Sequence, residues 1–278
     1  MATYEEVFKD MRITVVTTFH QPGLEQYGQR FIDSFSEKVD PKIKLVVYAE
    51  KCIPVVPQGD NRITIYDADT TLPDLQKFKS IWGQVPKANG KCPWPERRPR
   101  DNHKEFKWDA VRFANKVYAV FHEAKKDDTD ILVWMDADTF IHSPWSYEQF
   151  ADLLPQDKWI TYVGRGKGSQ TWPECGFYGL NVQNEVCKKF MQEFERVYED
   201  ADNGIFLLEE WHDSFVFGNI LNKMKIELSR LPYSCIKIII FNFIHNMIDL
   251  FNICISDAHI FTQISFPITC SCLTVKKP

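Results

Sequence analysis

One stretch limits what this chain can fold into more than any other. It is ILVWMDADTF, Ile131–Phe140, an apolar run that ends abruptly in two carboxylates. Ile131–Met135 is too short to be a helix of its own and shows no alternation. A continuous apolar run of that length is a strand covered on both faces, as in a parallel sheet between layers of helix. The stretch near the start agrees. Arg12–Thr18 (RITVVTT) is β-branched and nearly continuous, Leu24–Phe35 has helical spacing, and Lys42–Tyr48 (KIKLVVY) is a second buried strand. A strand–helix–strand unit favours a parallel pair with a right-handed crossover. A third short strand is expected at Arg62–Tyr66. The expected fold class is α/β, a mostly parallel central sheet flanked by helices.

Further along, Gly83–His103 is rich in Pro, Lys, Arg and Asn, and three prolines within Lys91–Arg100 (KCPWPERRPR) forbid a regular helix. A surface loop of that length is often functional. A helix follows from about Lys104 to Lys126, with Ala110, Phe113, Ala114, Val117, Phe121 and Ala124 as one apolar stripe. Asp109, Arg112 and Lys116 fall together on the opposite side. Trp159–Val163 and Phe177–Asn181 read as strands, Gly164–Ser169 as a glycine-rich loop, and Glu185–Asp200 and Ser214–Met224 as helices. His212 or Asp213 would cap the last of these.

With 278 residues, the pattern fits one domain over residues 1–230. After Arg230 the composition changes. Leu231–Pro278 contains no Gly, Arg, Glu or Trp but holds four of the eight cysteines, and neither structural period is clear. Two readings stay open. The tail is a divergent β-rich element covering the sheet edge, or a segment not native to the fold, such as a shifted reading frame.

Composition removes several function classes. Hydrophobic residues at 44% with 26% charged exclude a wholly disordered chain. A net charge of −5 argues against a nucleic-acid binder working through a global positive field. The opening MATYEEVFKD has neither part of a secretory signal, and no apolar run is long enough to span a membrane. The eight cysteines contain no CxxC, and the lone pair Cys270 and Cys272 is too little for a zinc site. A cytoplasmic protein with reduced thiols is expected.

Four segments carry chemistry. The first is Asp136-Ala137-Asp138. In an extended segment residues i and i+2 point the same way, so both carboxylates can converge on one cation at the ligand-binding edge of an open α/β sheet. Hard oxygens beside a diphosphate suit Mg²⁺ or Mn²⁺. The plain alternative is a strand end that starts a turn. The second is TWPECGFYGLN, Thr171–Asn181, which leaves Glu174 at a strand entrance, either functional or simply solvated. The third is EEWHDSFVF, Glu209–Phe217, where Asp213 is a helix cap or a carboxylate held in a cleft. The fourth is Arg112 and Lys116, one turn apart, able to neutralise a diphosphate or to form a surface ion-pair array with Asp109.

Taken in order, ITVVTTF, FKWDAVRFANKVYAV, VWMDADTF, ECGFYGLN and EWHDSFVF resemble nucleotide-sugar glycosyltransferases of the GT-A fold, in particular a bacterial and phage-type group of poorly defined substrate. The resemblance covers about Met11–Arg230. It implies a GT-A fold and a UDP- or GDP-sugar donor, bound with Mn²⁺ or Mg²⁺ at Asp136 and Asp138. It further implies that Thr17, Thr18 and Phe19 lie against the nucleoside, that Tyr48 and Glu50 lie near the base or ribose, and that Arg112 and Lys116 approach the diphosphate. Glu174 would face the acceptor or the transferred sugar, and Asp213 would be a catalytic carboxylate, acting as base or as stabiliser of a cationic sugar. Such enzymes often add a late His, Lys or Arg. Here only His245, His259, Lys237, Lys276 and Lys277 are available, none in a family-like motif. The acceptor would be a glycan, a lipid or a small molecule, with no nucleic-acid partner. Two rival readings remain. One is a haloacid-dehalogenase-type phosphatase, with Asp136 as nucleophile, Asp138 as acid/base and Thr139 as helper. The other is an inactive GT-A-like binding module.

Overall fold

The computed structural model describes residues 11–153, 158–163, 172–228 and 253–255. Strand β1 (Ile13–His20), helix α1 (Gln29–Lys38), β2 (Lys44–Glu50) and β3 (Ile63–Asp67) open the fold. β1 pairs with β2 and β2 with β3, both in parallel. The chain then passes through α2 (Pro73–Trp82), the long loop and α3 (Ala110–Ala124) before entering β4 (Ile131–Met135). β4 lies on the other side of β1 and parallel to it, with Val15 opposite Val133.

A short strand β5 (Thr139–Ile141) and helix α4 (Tyr147–Leu153) follow, then β6 (Ile160–Val163), β7 (Glu174–Asn181), α5 (Glu185–Glu199) and α6 (Asp213–Leu228). The six strands stand in the order β3-β2-β1-β4-β7-β6. β7 runs antiparallel to both its neighbours. The architecture is thus the mostly parallel α/β sheet expected from the sequence, with β7 as its antiparallel exception.

Strand residues alternate between two cores, as the two-residue period requires. Ile13, Val15, Leu45, Val47, Ile131 and Val133 pack with Phe31, Phe35 and Phe150 of α1 and α4. Val16, Val46, Leu132 and Trp134 pack with residues of α2, α3, α5 and α6, among them Phe78, Val117, Phe194 and Phe217. Burial on both faces explains why these strands lack a polar side.

This topology places the site. Strands step outward from β1 to β3, and the chain then returns to the far side of β1. The order reverses between β1 and β4, and ligands of open α/β sheets bind beyond the strand ends at such a reversal. Asp136 is the first residue after β4.

Several elements depart from the sequence reading. α3 begins at Ala110 instead of near Lys104, because Glu105–Trp108 is a 3₁₀ turn and the Asp109 carboxylate accepts the Arg112 N–H at 3.0 Å as a cap. Lys116 is not on a solvent face but buried. α2, α4 and β5 have no counterpart in the sequence reading. Of the tail from Leu231, the described residues beyond α6 are Ile253–Ile255. They form β8, antiparallel to β5, with Ile255 opposite Thr139. The expectations for the rest of the tail, the opening segment and the Gly164–Ser169 loop fall outside the described residues. Among the described residues no helix is long and apolar enough to cross a membrane, and Cys52, Cys92, Cys175 and Cys187 are free thiols.

Candidate active site

The centre of the site is a buried ammonium. Lys116 projects from α3 into the space between the ends of β4 and β7 and the start of α6. Its Nζ lies 3.0 Å from Asp136 Oδ1 and 2.6 Å from Asp213 Oδ2. It also donates a short bond to the backbone carbonyl of Cys175. A lysine has three protons to donate, and these acceptors use all of them. The Trp134 ring centroid sits 4.7 Å from the same Nζ. Burial pulls the ammonium toward its neutral form, but Asp136 and Asp213 more than offset this and hold it above its usual pKa.

Asp213 is the first residue of α6 and is buried. Its Oδ1 accepts the N–H of Ser214 at 2.7 Å. Burial pushes its carboxyl up, and Lys116 outweighs that and keeps it below the normal carboxylate range. The cap of α6 is His212, whose carbonyl accepts the N–H of both Phe215 and Val216 at 3.1 Å. Phe215 N–H also lies 3.4 Å from His212 Nδ1, which leaves the ring proton on Nε2, facing Glu210 Oε2 at 3.1 Å.

Asp136 keeps its side chain 38% exposed. Oδ1 is taken by Lys116 and by the indole N–H of Trp134 at 2.6 Å. Its backbone is fixed on one side by Asp136 N–H donating to Gly176 at 2.9 Å. On the other, its carbonyl accepts the Thr139 hydroxyl at 2.7 Å and the Thr139 N–H at 3.2 Å. Asp136–Thr139 is therefore a turn, not an extended segment, so the i and i+2 argument for convergence does not apply. Proximity survives in another form. The Asp138 carboxyl is pushed up to about 6, first by burial and then by the charge of Asp136. Arg112, exposed at the start of α3, acts in the opposite direction on Asp138.

Glu174 closes the other side. A Cβ added at Gly176 would lie 3.4 Å from Asp136 Oδ2 and 3.8 Å from Glu174 Oε1, so both acidic oxygens border this one glycine.

The other expected residues divide differently. Thr18 donates its hydroxyl to the carbonyl of Tyr48 at 2.6 Å, tying β1 to β2. Thr17 and Phe19 are buried beside it. Tyr48 is fully buried, and its hydroxyl donates to Glu123 at 2.8 Å and meets His122 Nδ1 at 2.6 Å. Glu50 pairs with Lys79 at 2.5 Å. The Tyr48 ring is therefore a core side chain, and only its backbone reaches the strand edge. Lys116, Asp136, Asp138, Asp213, Glu174 and Arg112 come together, whereas the side chains of Tyr48 and Glu50 take their partners from α3 and α2.

Two contributors were missed from sequence. Trp134 shares the strand face of Asp136, an i to i+2 relation that was readable. Tyr27 lies in a π-helical turn, Leu24–Gly28, and its hydroxyl is raised by burial and then by the charge of Asp138. π-turns are frequent at functional sites, but nothing in LEQYG announces one.

The donor set suits a hard divalent cation. Asp136 Oδ2 and the Asp138 carboxylate are oxygens, and a cation would relieve the repulsion that raises Asp138. Among the described residues no group of three His, Cys, Asp or Glu gathers for a metal.

No protein-family model matches the chain, and no curated protein matches it. Among solved structures, the glycosyltransferase GlyE of Streptococcus pneumoniae TIGR4 is similar over 77% of this chain and 43% of that one, at 10% identity and a TM-score of 0.40. The bifunctional glycosyltransferase WbbM is similar over 67% of this chain and 34% of that one, at 13% identity and a TM-score of 0.38. The chain spans less than half the length of either.

Proposed function

We propose that the chain transfers a sugar from a nucleoside-diphosphate donor to an acceptor hydroxyl. The observation that carries this reading is the position of Asp136 and Asp138, directly beyond β4 where the strand order reverses, with Asp136 anchored by Lys116. A diphosphate at that edge meets two carboxylates, which suits a bridging cation, and the exposed guanidinium of Arg112.

Each side chain then has a task. Asp136 and Asp138 would hold Mn²⁺ or Mg²⁺, which neutralises a departing diphosphate as a Lewis acid. Lys116 has no proton left for a phosphate, so its role is to fix Asp136. Asp213 is its counter-charge, with both oxygens engaged, which in this reading makes it a positioning residue, where the resemblance implied a base or a stabiliser of a cationic sugar. Glu174 borders the same glycine as Asp136 and is the carboxylate suited to face an acceptor hydroxyl or a cationic sugar. Arg112 shares the diphosphate charge.

The phosphatase reading keeps one supporting observation, the Asp138 carboxyl at about 6, which suits an acid/base. It requires Asp136 as nucleophile, but Asp136 Oδ1 is already engaged by two donors. Titration calorimetry with UDP and GDP, with and without Mn²⁺, separates the readings. Metal-dependent binding that is lost in Asp138→Asn is expected. A parent protein that binds neither nucleotide under any metal condition overturns the transferase reading.

A further inference from the structure

The loop between α2 and α3 sorts its cations into two sets. Lys91–Arg100 carries four of them against one carboxylate, Glu96, in a chain whose net charge is −5. Arg98 turns inward to Glu209 and Glu210, and Lys107, at the end of the loop, is buried against Glu210 at 3.0 Å. Lys91, Arg97 and Arg100 are exposed and form no ion pair among the described residues. Arg97 lies over the ring of Trp94 at 5.6 Å, a contact that orders the side chain without cancelling its charge.

The loop holds its own shape. Its ends are tied by the Gly90 N–H, which donates to the Trp108 carbonyl at 3.0 Å. Between them one turn follows another. The N–H groups of Arg97 and Arg98 donate to Trp94, those of Asp101 and Asn102 to Arg98, and that of Lys104 to Asp101. The Trp94 ring rests 6.4 Å from that of Trp211. Two apolar side chains stand out at its borders, Phe106 at 38% and Leu207 at 71% exposed. Leu207 lies on the turn between Phe206, whose ring takes Lys87 at 4.4 Å, and Glu209, the partner of Arg98. A purely apolar partner would leave Lys91, Arg97 and Arg100 without counter-charge, and a purely anionic one would leave Leu207 and Phe106 in water. An anionic bilayer surface offers phosphate to the first and the edge of its acyl layer to the second. A nucleic-acid strand asks for rings free to stack on bases. Here Trp94 is packed against Trp211, and Leu207, which stands furthest out, has no ring.

We propose that Lys91, Arg97, Arg100, Phe106 and Leu207 form a face that docks the protein onto an anionic phospholipid surface. The three cations pair with headgroup phosphates, and the two apolar side chains enter the boundary with the acyl chains. Screening limits the reach of each charge to about 8 Å at physiological salt, so the acidic remainder of the chain does not cancel the attraction. The face borders the candidate site, because Phe106 and Phe113 both meet the ring of His212, at 5.7 and 6.2 Å, and Asp213 follows it. The proposal stands apart from the transfer reading, since none of the five side chains belongs to that site.

The test is co-sedimentation of the full chain with unilamellar vesicles, either of phosphatidylcholine alone or of phosphatidylcholine mixed with phosphatidylglycerol. Binding is expected only to the anionic vesicles and should weaken as sodium chloride is raised. The triple variant Lys91→Gln, Arg97→Gln, Arg100→Gln should lower the partition coefficient at least about tenfold, since one cation near such a surface contributes about fivefold. Phe106→Ser with Leu207→Ser should lower it at least about threefold on the same vesicles. A control that loses the same charge from exposed lysines elsewhere, Lys44→Gln, Lys188→Gln, Lys189→Gln, should stay within about twofold of the parent. If the control loses as much as the loop variant, net charge and not this face attracts lipid, and the proposal is wrong. It is equally wrong if the parent stays in the supernatant with anionic vesicles, or if Phe106→Ser with Leu207→Ser changes nothing. A parent that ignores vesicles but binds a single-stranded oligonucleotide through the same three cations would assign the face to nucleic acid instead. None of these outcomes bears on UDP or GDP binding, which calorimetry reads separately.

Discussion

At the residue scale, one lysine decides the state of two carboxylates. The buried ammonium of Lys116 bridges Asp136 and the buried Asp213, and a buried ion pair is strongly destabilised when only one partner is removed. Lys116→Met should therefore cost about 3–5 kcal/mol in urea unfolding, because Asp213 is left as an uncompensated buried charge. The double variant Lys116→Met with Asp213→Leu should regain most of that stability, since the buried charge is gone. It should not regain metal-dependent nucleotide binding, because Asp136 has still lost its anchor. Equal stability of the single and double variants would show that Asp213 is not buried against Lys116. Asp138→Asn behaves oppositely. Folding raises the Asp138 carboxyl, so its charge opposes the fold, and the amide should keep or raise Tm while nucleotide affinity in Mn²⁺ falls at least about tenfold.

At the scale of elements, the long loop between α2 and α3 is held to the segment before α6 by two neighbouring carboxylates, Glu209, which pairs with Arg98, and the more buried Glu210. Glu210 accepts from Arg98, Lys107 and His212, and Trp211 N–H donates to the Lys107 carbonyl at 2.6 Å. Burial works to raise the Glu210 carboxyl, and its bonds to His212, Lys107 and Arg98 outweigh that and bring it down to about 2. A carboxyl lowered on folding stabilises above its unfolded pKa, about 4.3. That contribution is lost as pH falls from there through about 2. Tm measured from pH 7 to 3 should fall less steeply in Glu210→Gln than in the parent below about pH 4; parallel curves would show that Glu210 carries no such linkage. A second element-level constraint is Gly204, between α5 and α6. A Cβ there would stand 2.2 Å from the Val197 carbonyl oxygen and 2.8 Å from that of Asp200. Neither carbonyl can move without disturbing the end of α5, so Gly204→Ala should lower stability by about 1–3 kcal/mol in the same unfolding assay.

At the scale of the whole molecule, a single twisted sheet separates two apolar cores, and the site lies where both end. The core on the α3, α5 and α6 side centres on Phe217, whose ring meets Tyr178 at 4.9 Å, Phe190 at 5.0 Å and Phe194 at 5.9 Å. It joins the antiparallel strand β7 to both flanking helices, so its loss leaves a cavity beneath the site. Phe217→Ala should cost about 3–5 kcal/mol. Because the cavity lies behind Tyr178 and Lys116, nucleotide affinity should also fall, unlike the effect of an exposed substitution on α5 such as Lys188→Ala. Amide exchange should be slowest in β1 and β4, which are paired on both sides and covered on both faces.

Much of this was legible in the chain itself. The β-branched, nearly continuous run at Ile13–Val16 and the apolar runs at Leu45–Val47 and Ile131–Met135 demand burial on both faces, and that demand favours a parallel sheet between helices. The break from Met135 to Asp136 marks the strand end where ligands bind. Sequence also brought Asp138, Glu174, Arg112 and Asp213 forward as candidate site residues, Asp138 as the second carboxylate after the strand, Glu174 at a strand entrance, Arg112 on the polar face of the long helix and Asp213 at a helix start. It placed Lys116 on a solvent face, since helical spacing records where apolar side chains lie and not where an ion pair closes. The partners of Lys116 come from β4, β7 and α6, up to 97 residues away (213 − 116). No local pattern contains that distance. The same holds for Tyr48, which the resemblance set near a base or ribose and whose hydroxyl meets Glu123 and His122 of α3, 75 and 74 residues away. Local chemistry determines which residues must avoid water; only tertiary packing decides which charge meets which, because Coulomb and hydrogen-bond partners are chosen by distance in space.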